Sequence, residues 1–305
     1  MASNNLIELI KVLRERTGAG MMDCKKALEE NNLDVEKAID WLREKGIAKA
    51  AKKASRIAAE GLTKVRVCEG CGKGIVLEVN CETDFVARGD KFIALVDNLA
   101  QETLHEEPAD IDAARVLVAQ HLTDAAVALG EKLDYRRFEI LKAADGQGLS
   151  SYIHMNGKIS VLVLLAKDDA ELGKGLAMHI AANNPTYVSK DEIPADVIEH
   201  EKNIARELAK SDEKLASKPA NILDGIILGK VNKLLSETTL VEQTYLLDGE
   251  KSVAEVLKAK GNKVLKFVRF QVGEGIEKKC CDFAEEVMSQ VKYHSLRVFF
   301  LKEIL

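Results

Sequence analysis

Thr83-Asp84-Phe85-Val86 is the stretch of this 305-residue chain whose residue types point most directly to a function. It follows an alternating run, Ile75, Leu77 and Val79 set against Val76, Glu78 and Asn80. That is the period of a β-strand with one strongly apolar face. Thr and Asp ahead of a Phe in a post-strand turn suit side chain-to-backbone hydrogen bonds, which hold the aromatic in one place. A catalytic loop would offer a base, a nucleophile or a set of metal ligands. This turn offers one carboxylate and a hydrophobic plug. By residue type alone, Phe85 is a core side chain tucked back under its strand.

The remaining chemistry-bearing residues do not assemble a covalent catalyst. The six His are scattered. His179 lies between Met178 and Ile180 with no Ser or Cys nucleophile close in sequence, as expected of a core or interface histidine. No Gly-x-x-x-x-Gly-Lys-[Ser/Thr] occurs, Gly173-Lys174-Gly175 lacks its spacing, and Gly273-Glu274-Gly275 sets a carboxylate where a phosphate would be repelled. No His-Glu-x-x-His is present. Cys68-Glu69-Gly70-Cys71 supplies half of a zinc site, but the other close pair, Cys280-Cys281, is adjacent and chelates poorly. A hairpin turn at Gly70-Cys71-Gly72 is the reading favoured over zinc. These residues predict neither a metal nor a cofactor.

The bulk composition sets the frame. A chain of 305 residues is expected to form two to four packed units. At 47% apolar, 30% charged and only 4 Pro it is a folding sequence. A net charge of -5 argues against a broad nucleic-acid surface, which would be basic. Leu6-Ile7-Glu8-Leu9-Ile10 carries a charge and is too short for a signal-peptide core. The longest apolar run, Ile159 to Ala166, is the length of a strand and not of a membrane span. A cytoplasmic protein with reduced thiols is therefore expected.

Periodicity then gives the elements that must carry the turn. Residues 1–54 read as three helices. Leu6, Leu9, Ile10 and Leu13 share a face of the first, and Met21 to Glu30 forms the second. Val35 to Lys45 forms the third, with Asp34 as N-cap, Gly46 as terminator and Trp41 as aromatic centre. Of Met21 and Met22, one is expected to fill the core and one to offer an adaptable contact. Lys45, Lys49, Lys52, Lys53 and Arg56, spaced by Ala, read as a solvated helical linker; without interleaved aromatics they make a poor nucleic-acid patch.

Strands at Leu62–Val67 and Ile75 and a helix from Asp90 to His105 follow. Leu149–His154, a type I′ turn at Asn156-Gly157, Lys158–Ala166 and a helix Ala170–Ala182 repeat that order. The fold class predicted is α+β, with two related core subdomains at 55–146 and 147–280. Pro194 and Pro219 each open a helix, giving an antiparallel hairpin at about 194–236 with Val197, Ile204, Leu208, Ile222, Ile226 and Leu234 as its apolar positions. Val264–Val272 is a strand rejoining the second subdomain. Residues 281–305 hold a last helix, Cys281–Val291, and an apolar tail, Tyr293–Leu305.

Five ordered stretches are similar to the bacterial elongation factor Ts family, the nucleotide exchange factors of elongation factor Tu. They are Thr83–Val86, Arg14–Leu28, Lys49–Ala54, Ala177–Ala182 and Val272–Lys278. The Cys68–Cys71 segment and the tail depart from the family pattern. The resemblance implies a ubiquitin-associated-like three-helix module at the N-terminus. It also implies binding to GDP-bound and nucleotide-free elongation factor Tu. The turn Thr83, Asp84, Phe85, Val86 would enter near the partner's Mg2+ site and dislodge the ion, with Asp84 and Phe85 central. Met21, Met22, Lys25, Leu129, Gly130 and His179 would add contacts. No membrane and no direct nucleic acid are expected, and a homodimer is left open. A non-catalytic protein-binding scaffold is the alternative.

Overall fold

The computed structural model describes residues 2–53, 55–68, 70–211 and 219–277. In chain order these form helices α1 (Ala2–Thr17), α2 (Met21–Glu30) and α3 (Val35–Lys53), then strands β1 (Glu60–Cys68) and β2 (Lys73–Cys81). Helices α4 (Asp84–Ala87), α5 (Asp90–Glu106), α6 (Ile111–Leu117) and α7 (Ala119–Leu129) lead to β3 (Asp134–Lys142), β4 (Gly148–His154) and β5 (Ile159–Leu165). Then come α8 (Ala170–Asn183), α9 (Ala195–Ser211), α10 (Ala220–Thr238), α11 (Val253–Ala259) and β6 (Val264–Gln271). The class is α+β, as the residue pattern predicted. The described residues up to Glu274 form one compact unit. The last helix and tail expected beyond residue 277 lie outside the described residues.

Two antiparallel sheets carry the fold, ordered β1-β2-β3 and β4-β5-β6. Each is a hairpin whose second strand takes a third strand on its far side. In the first sheet β2 is the middle strand, and every residue from Gly74 to Cys81 is buried. Sequence alternation predicted one apolar face, but both faces are covered. Ile75, Leu77, Val79 and Cys81 pack with Phe92, Leu95, Val96 and Leu99 of α5. Val76, on the other face, packs with Leu162 and Val268 of the second sheet.

Glu78 shares that inter-sheet face and has no exposed side-chain surface. Its Oε1 accepts from Arg136 Nη1 at 3.0 Å, Asn80 Nδ2 at 3.0 Å and the Gly273 backbone N–H at 2.7 Å. Its Oε2 accepts from Arg137 Nε at 2.6 Å. Arg137 also stacks on Phe270, its guanidinium carbon 4.2 Å from the ring centre. Strand β3, which the sequence reading did not anticipate, exists in this light. Arg136, Arg137 and Glu139 break its apolar alternation, yet the two arginines are what Glu78 requires.

The N-terminal helices close on Leu13, Cys24, Ala27, Leu28, Ala38 and Leu42. Trp41 is only half-buried at the edge of this cluster, with Lys45 Nζ 5.5 Å from its ring centre, so the centre is aliphatic. Asp34 caps α3 as expected, accepting from the Lys37 N–H at 3.1 Å. Gly46 does not terminate the helix. Helix α3 continues through it to Lys53, and a Cβ at Gly46 would meet Val127 Cγ2 at 2.2 Å. Its glycine is required by the close approach of α7, not by a cap.

Three further expectations shift. The turn after β4 spans four residues, since His154 pairs with Ile159, and Met155, Asn156 and Gly157 all take positive φ. The seam of the α9–α10 hairpin includes Val197 as expected but otherwise runs through Ala205, Ala209, Leu223, Ile227, Val231 and Leu235, while Ile204, Leu208, Ile222 and Leu234 are exposed. The small Ala side chains let the two helices approach on a face one residue away from the larger ones. The Cys68–Cys71 pair, expected as reduced thiols, is joined as a disulfide across the hairpin turn, which brings the two Cα atoms to 5.6 Å, a separation a disulfide can span.

Replacing Glu78 by Ala removes the acceptor shared by Arg136, Arg137, Asn80 and the Gly273 N–H, although both guanidinium groups keep other acceptors at Gln271 and Glu274. A loss of about 1–3 kcal/mol is expected, read as a lower urea midpoint at unchanged slope. A variant as stable as the parent would show that the cluster does not hold the sheets together.

Candidate functional site

Phe85 lies four residues beyond the end of β2, the most buried strand among the described residues, yet 85% of its surface is exposed. It belongs to α4, a single turn of four residues. Such a turn cannot persist on its own, since helix nucleation is unfavourable and only a few hydrogen bonds offset it. Outside bonds supply the difference. Thr83 is the N-cap, its Oγ1 accepting from the Val86 N–H at 3.3 Å. Its carbonyl accepts from the Ala87 N–H at 3.2 Å and the Cys81 thiol at 3.2 Å. Asp84 sits in the first turn, where a negative charge suits the helix dipole, and pairs with Arg88 at 3.0 Å. Ala87 is buried and Val86 half-buried against the α5 core. The turn is anchored by every residue except the phenylalanine.

A second segment completes the anchor. Glu131, just after α7, accepts from the Glu82 N–H at 2.9 Å and the Thr83 N–H at 3.0 Å through Oε2. Its Oε1 accepts from Thr83 Oγ1 at 2.6 Å. Glu82 answers in the opposite direction, accepting from the Lys132 N–H at 2.7 Å and from Arg56 Nη1 at 3.1 Å. Burial raises the pKa of Glu82, but these hydrogen bonds outweigh it and hold the carboxyl below its ordinary value. Lys132 Nζ donates to the Arg56 carbonyl at 2.9 Å, and Lys53 Nζ donates to the Gly130 carbonyl. Arg56 and Lys53 come from the stretch read as a solvated linker. They are instead tied to the α7–β3 turn.

Met21 and Met22 are both exposed, at 58% and 72%. Neither fills the core, because Cys24, Ala27 and Leu28 take the inner face of α2. Lys25 is half-buried beside them and lies 3.6 Å from Glu29. Leu129 packs partly against the α5 core, and Gly130 is the left-handed C-cap of α7. The structure joins Leu129 and Gly130 to the Thr83 turn through Glu131.

His179 is fully buried in α8, so its ring is not a surface for a partner to touch. Its Nδ1 accepts from the Leu246 N–H at 3.1 Å, which places the proton on Nε2, donating to Gln243 Oε1 at 2.8 Å. The imidazole thereby fixes the loop that carries Leu246 and Leu247, both exposed. Sequence reasoning passed over this leucine pair, though two adjacent leucines ahead of Asp248-Gly249 were a visible signal. It also passed over Glu131, whose bonds span 48 residues of sequence and leave no local pattern. Gly173 and Gly175 are packing glycines, facing Ser150 and Tyr245. Among the described residues no group of three or more His, Cys, Asp or Glu is placed to hold a metal ion, and no helix is long and apolar enough to cross a membrane.

The arrangement offers exposed apolar side chains on rigid mounts. Comparison with known proteins places the chain in a family. A family model described as "Elongation factor TS" matches residues 82–274. Elongation factor Ts of Pediococcus pentosaceus is 46% identical over 290 residues, which cover 93% of this chain and 97% of that protein.

Burial holds the His179 pKa below its ordinary 6.5, outweighing the hydrogen bond to Gln243. The unfolded chain then takes up the proton first as pH falls. The stability this group contributes is complete above about pH 6.5 and is lost as pH falls through the lower folded value. Melting temperature is expected to drop on going from pH 7 to pH 5, with a smaller drop in His179→Gln. An imidazole that titrates at or above 6.5 by NMR would contradict this.

Proposed function

The chain belongs to the elongation factor Ts family, and from that premise we propose that it is the guanine-nucleotide exchange factor of elongation factor Tu, acting in the cytoplasm during translation elongation. It binds the GDP-bound partner, dislodges its Mg2+ and promotes GDP release, without forming or breaking a covalent bond itself. The observation that carries this reading is Phe85, 85% exposed on a turn whose other residues are all held. A folding sequence gains by covering a phenylalanine, roughly 1.5–3 kcal/mol. Forgoing that gain on a rigid mount is what a docking side chain requires.

Exchange is a linkage between two ligands of one partner. The factor must bind the nucleotide-free partner better than the GDP-bound one, and GDP is weakened by the same ratio. A 10⁴-fold ratio takes about 5.5 kcal/mol of differential contact. One phenylalanine supplies at most about half of that, so further contacts are needed. Met21, Met22 and Lys25 on α2 and the leucine pair held by His179 are the surfaces that would supply them. Asp84 and Phe85 would act at the Mg2+ site, with Thr83 and Val86 keeping them in place.

Stopped-flow release of a fluorescent GDP analogue from elongation factor Tu tests the reading. Phe85→Ala should slow stimulated release by about tenfold or more while melting temperature stays unchanged, since the side chain makes no core contact to lose. A chain that binds the partner without accelerating release would instead be a scaffold.

A further inference from the structure

Helix α7 and the turn that follows it touch the three-helix module and the Phe85 segment, both of which the proposed exchange reaction uses. On its side, Val127 joins the hydrophobic cluster of the three-helix module, Gly46 lies against that same valine, and Arg43 approaches Asp124 at 3.9 Å. Beyond its C-terminal end, Glu131 and Lys132 hold the segment that bears Phe85, while the Gly130 carbonyl accepts from Lys53 Nζ. The two segments are latched in both directions: Glu131 takes the N–H groups of Glu82 and Thr83, and Glu82 takes the N–H of Lys132. Glu131 also orients the Thr83 hydroxyl at 2.6 Å. That hydroxyl then caps α4 through the Val86 N–H.

We propose that Glu131 is the positioning residue of the Phe85 turn, and that the α7–β3 turn bearing it ties the seat of the three-helix module to the pose of the aromatic. The proposal rests on the exchange reading above for its consequence, but not for its geometry. Glu131 acts through Thr83 and makes no contact with Phe85. A four-residue helix with a large exposed side chain would otherwise sample many poses, and an exchange factor must present one. Holding the aromatic before the encounter removes the ordering that docking would require, so the effect falls on the rate of release in the complex rather than on forming the complex.

Two variants of the full-length chain and two readouts test this. Glu131→Ala removes every acceptor. Glu131→Gln keeps one oxygen for the two backbone N–H groups and an amide for the Thr83 hydroxyl, whose remaining lone pair still serves Val86. The first readout needs no partner: amide hydrogen exchange at Val86, Ala87 and Arg88, with the β2 amides as internal reference. Glu131→Ala is expected to lose about tenfold in protection in α4 and none in β2, and Glu131→Gln to stay near the parent. The second is release of a fluorescent GDP analogue from elongation factor Tu across factor concentrations. Glu131→Ala should lower the saturating rate about tenfold and leave the half-saturating concentration within about threefold, with Glu131→Gln again near the parent.

Unchanged α4 protection in Glu131→Ala would overturn the proposal whatever the release assay shows. Protection lost equally in β2 would make Glu131 a general stabiliser, and lost α4 protection with an unchanged saturating rate would remove its functional part. Failure of the parent chain itself to speed release would sink the exchange reading alone. The hydrogen-exchange comparison would then still decide the positioning role.

Discussion

A carboxylate with no exposed surface, Glu78, sets the terms for the rest of this molecule. A buried charge is tolerated only when its lone pairs are met. Meeting them takes Arg136 and Arg137 from β3, Asn80 from its own strand and the Gly273 backbone N–H from the turn after β6. Three of these partners lie in the sheet of Glu78 itself, while the Gly273 N–H reaches it from the turn after β6, and on the same face Val76 packs with Leu162 and Val268 of the second sheet. Strand β2 is thereby immobilised on both faces.

That immobility is what the candidate site uses. The Phe85 turn begins three residues beyond the end of the most restrained strand, so its base cannot drift. Its tip is treated in the opposite way. Thr83, Asp84, Val86 and Ala87 are each capped, paired or packed, while the one large apolar side chain is left in water. Hydrogen bonds do the holding because apolar packing would have covered the aromatic. Directional bonds from Glu131 and Glu82 restrain the backbone and leave the ring free to meet another surface. His179 follows the same logic at the other sheet, its two ring nitrogens spent on a loop whose leucines remain exposed.

Several misplacements share one physical origin, contact between segments far apart in sequence. Glycine after an amphipathic run usually terminates a helix, and Gly46 follows such a run. It is instead the point where α7 approaches too closely for a side chain. Strand β3 escaped notice because its arginines face a buried glutamate about sixty residues earlier, so the apolar alternation was broken for a reason invisible locally. The α9–α10 seam moved by one residue because closeness of approach at Ala205 and Ala209 outweighed the size of Ile204 and Leu208.

The sequence by itself determined the α+β class, the two hairpin-then-helix units, the Asp34 cap, the helical hairpin and the family, because all of these rest on local periodicity, capping chemistry or ordered motifs. It also singled out Thr83 to Val86 as the stretch without another occupation. Tertiary structure alone decided that Phe85 faces water and His179 does not. Phenylalanine is usually buried and His179 lies between two apolar residues, yet a residue's exposure depends on which neighbours arrive over it. Only the folded chain brings Glu131 to Thr83 and α5 to the inner face of β2. The aromatic was left uncovered because α5 begins at Asp90, beyond the turn, and packs on the strand instead.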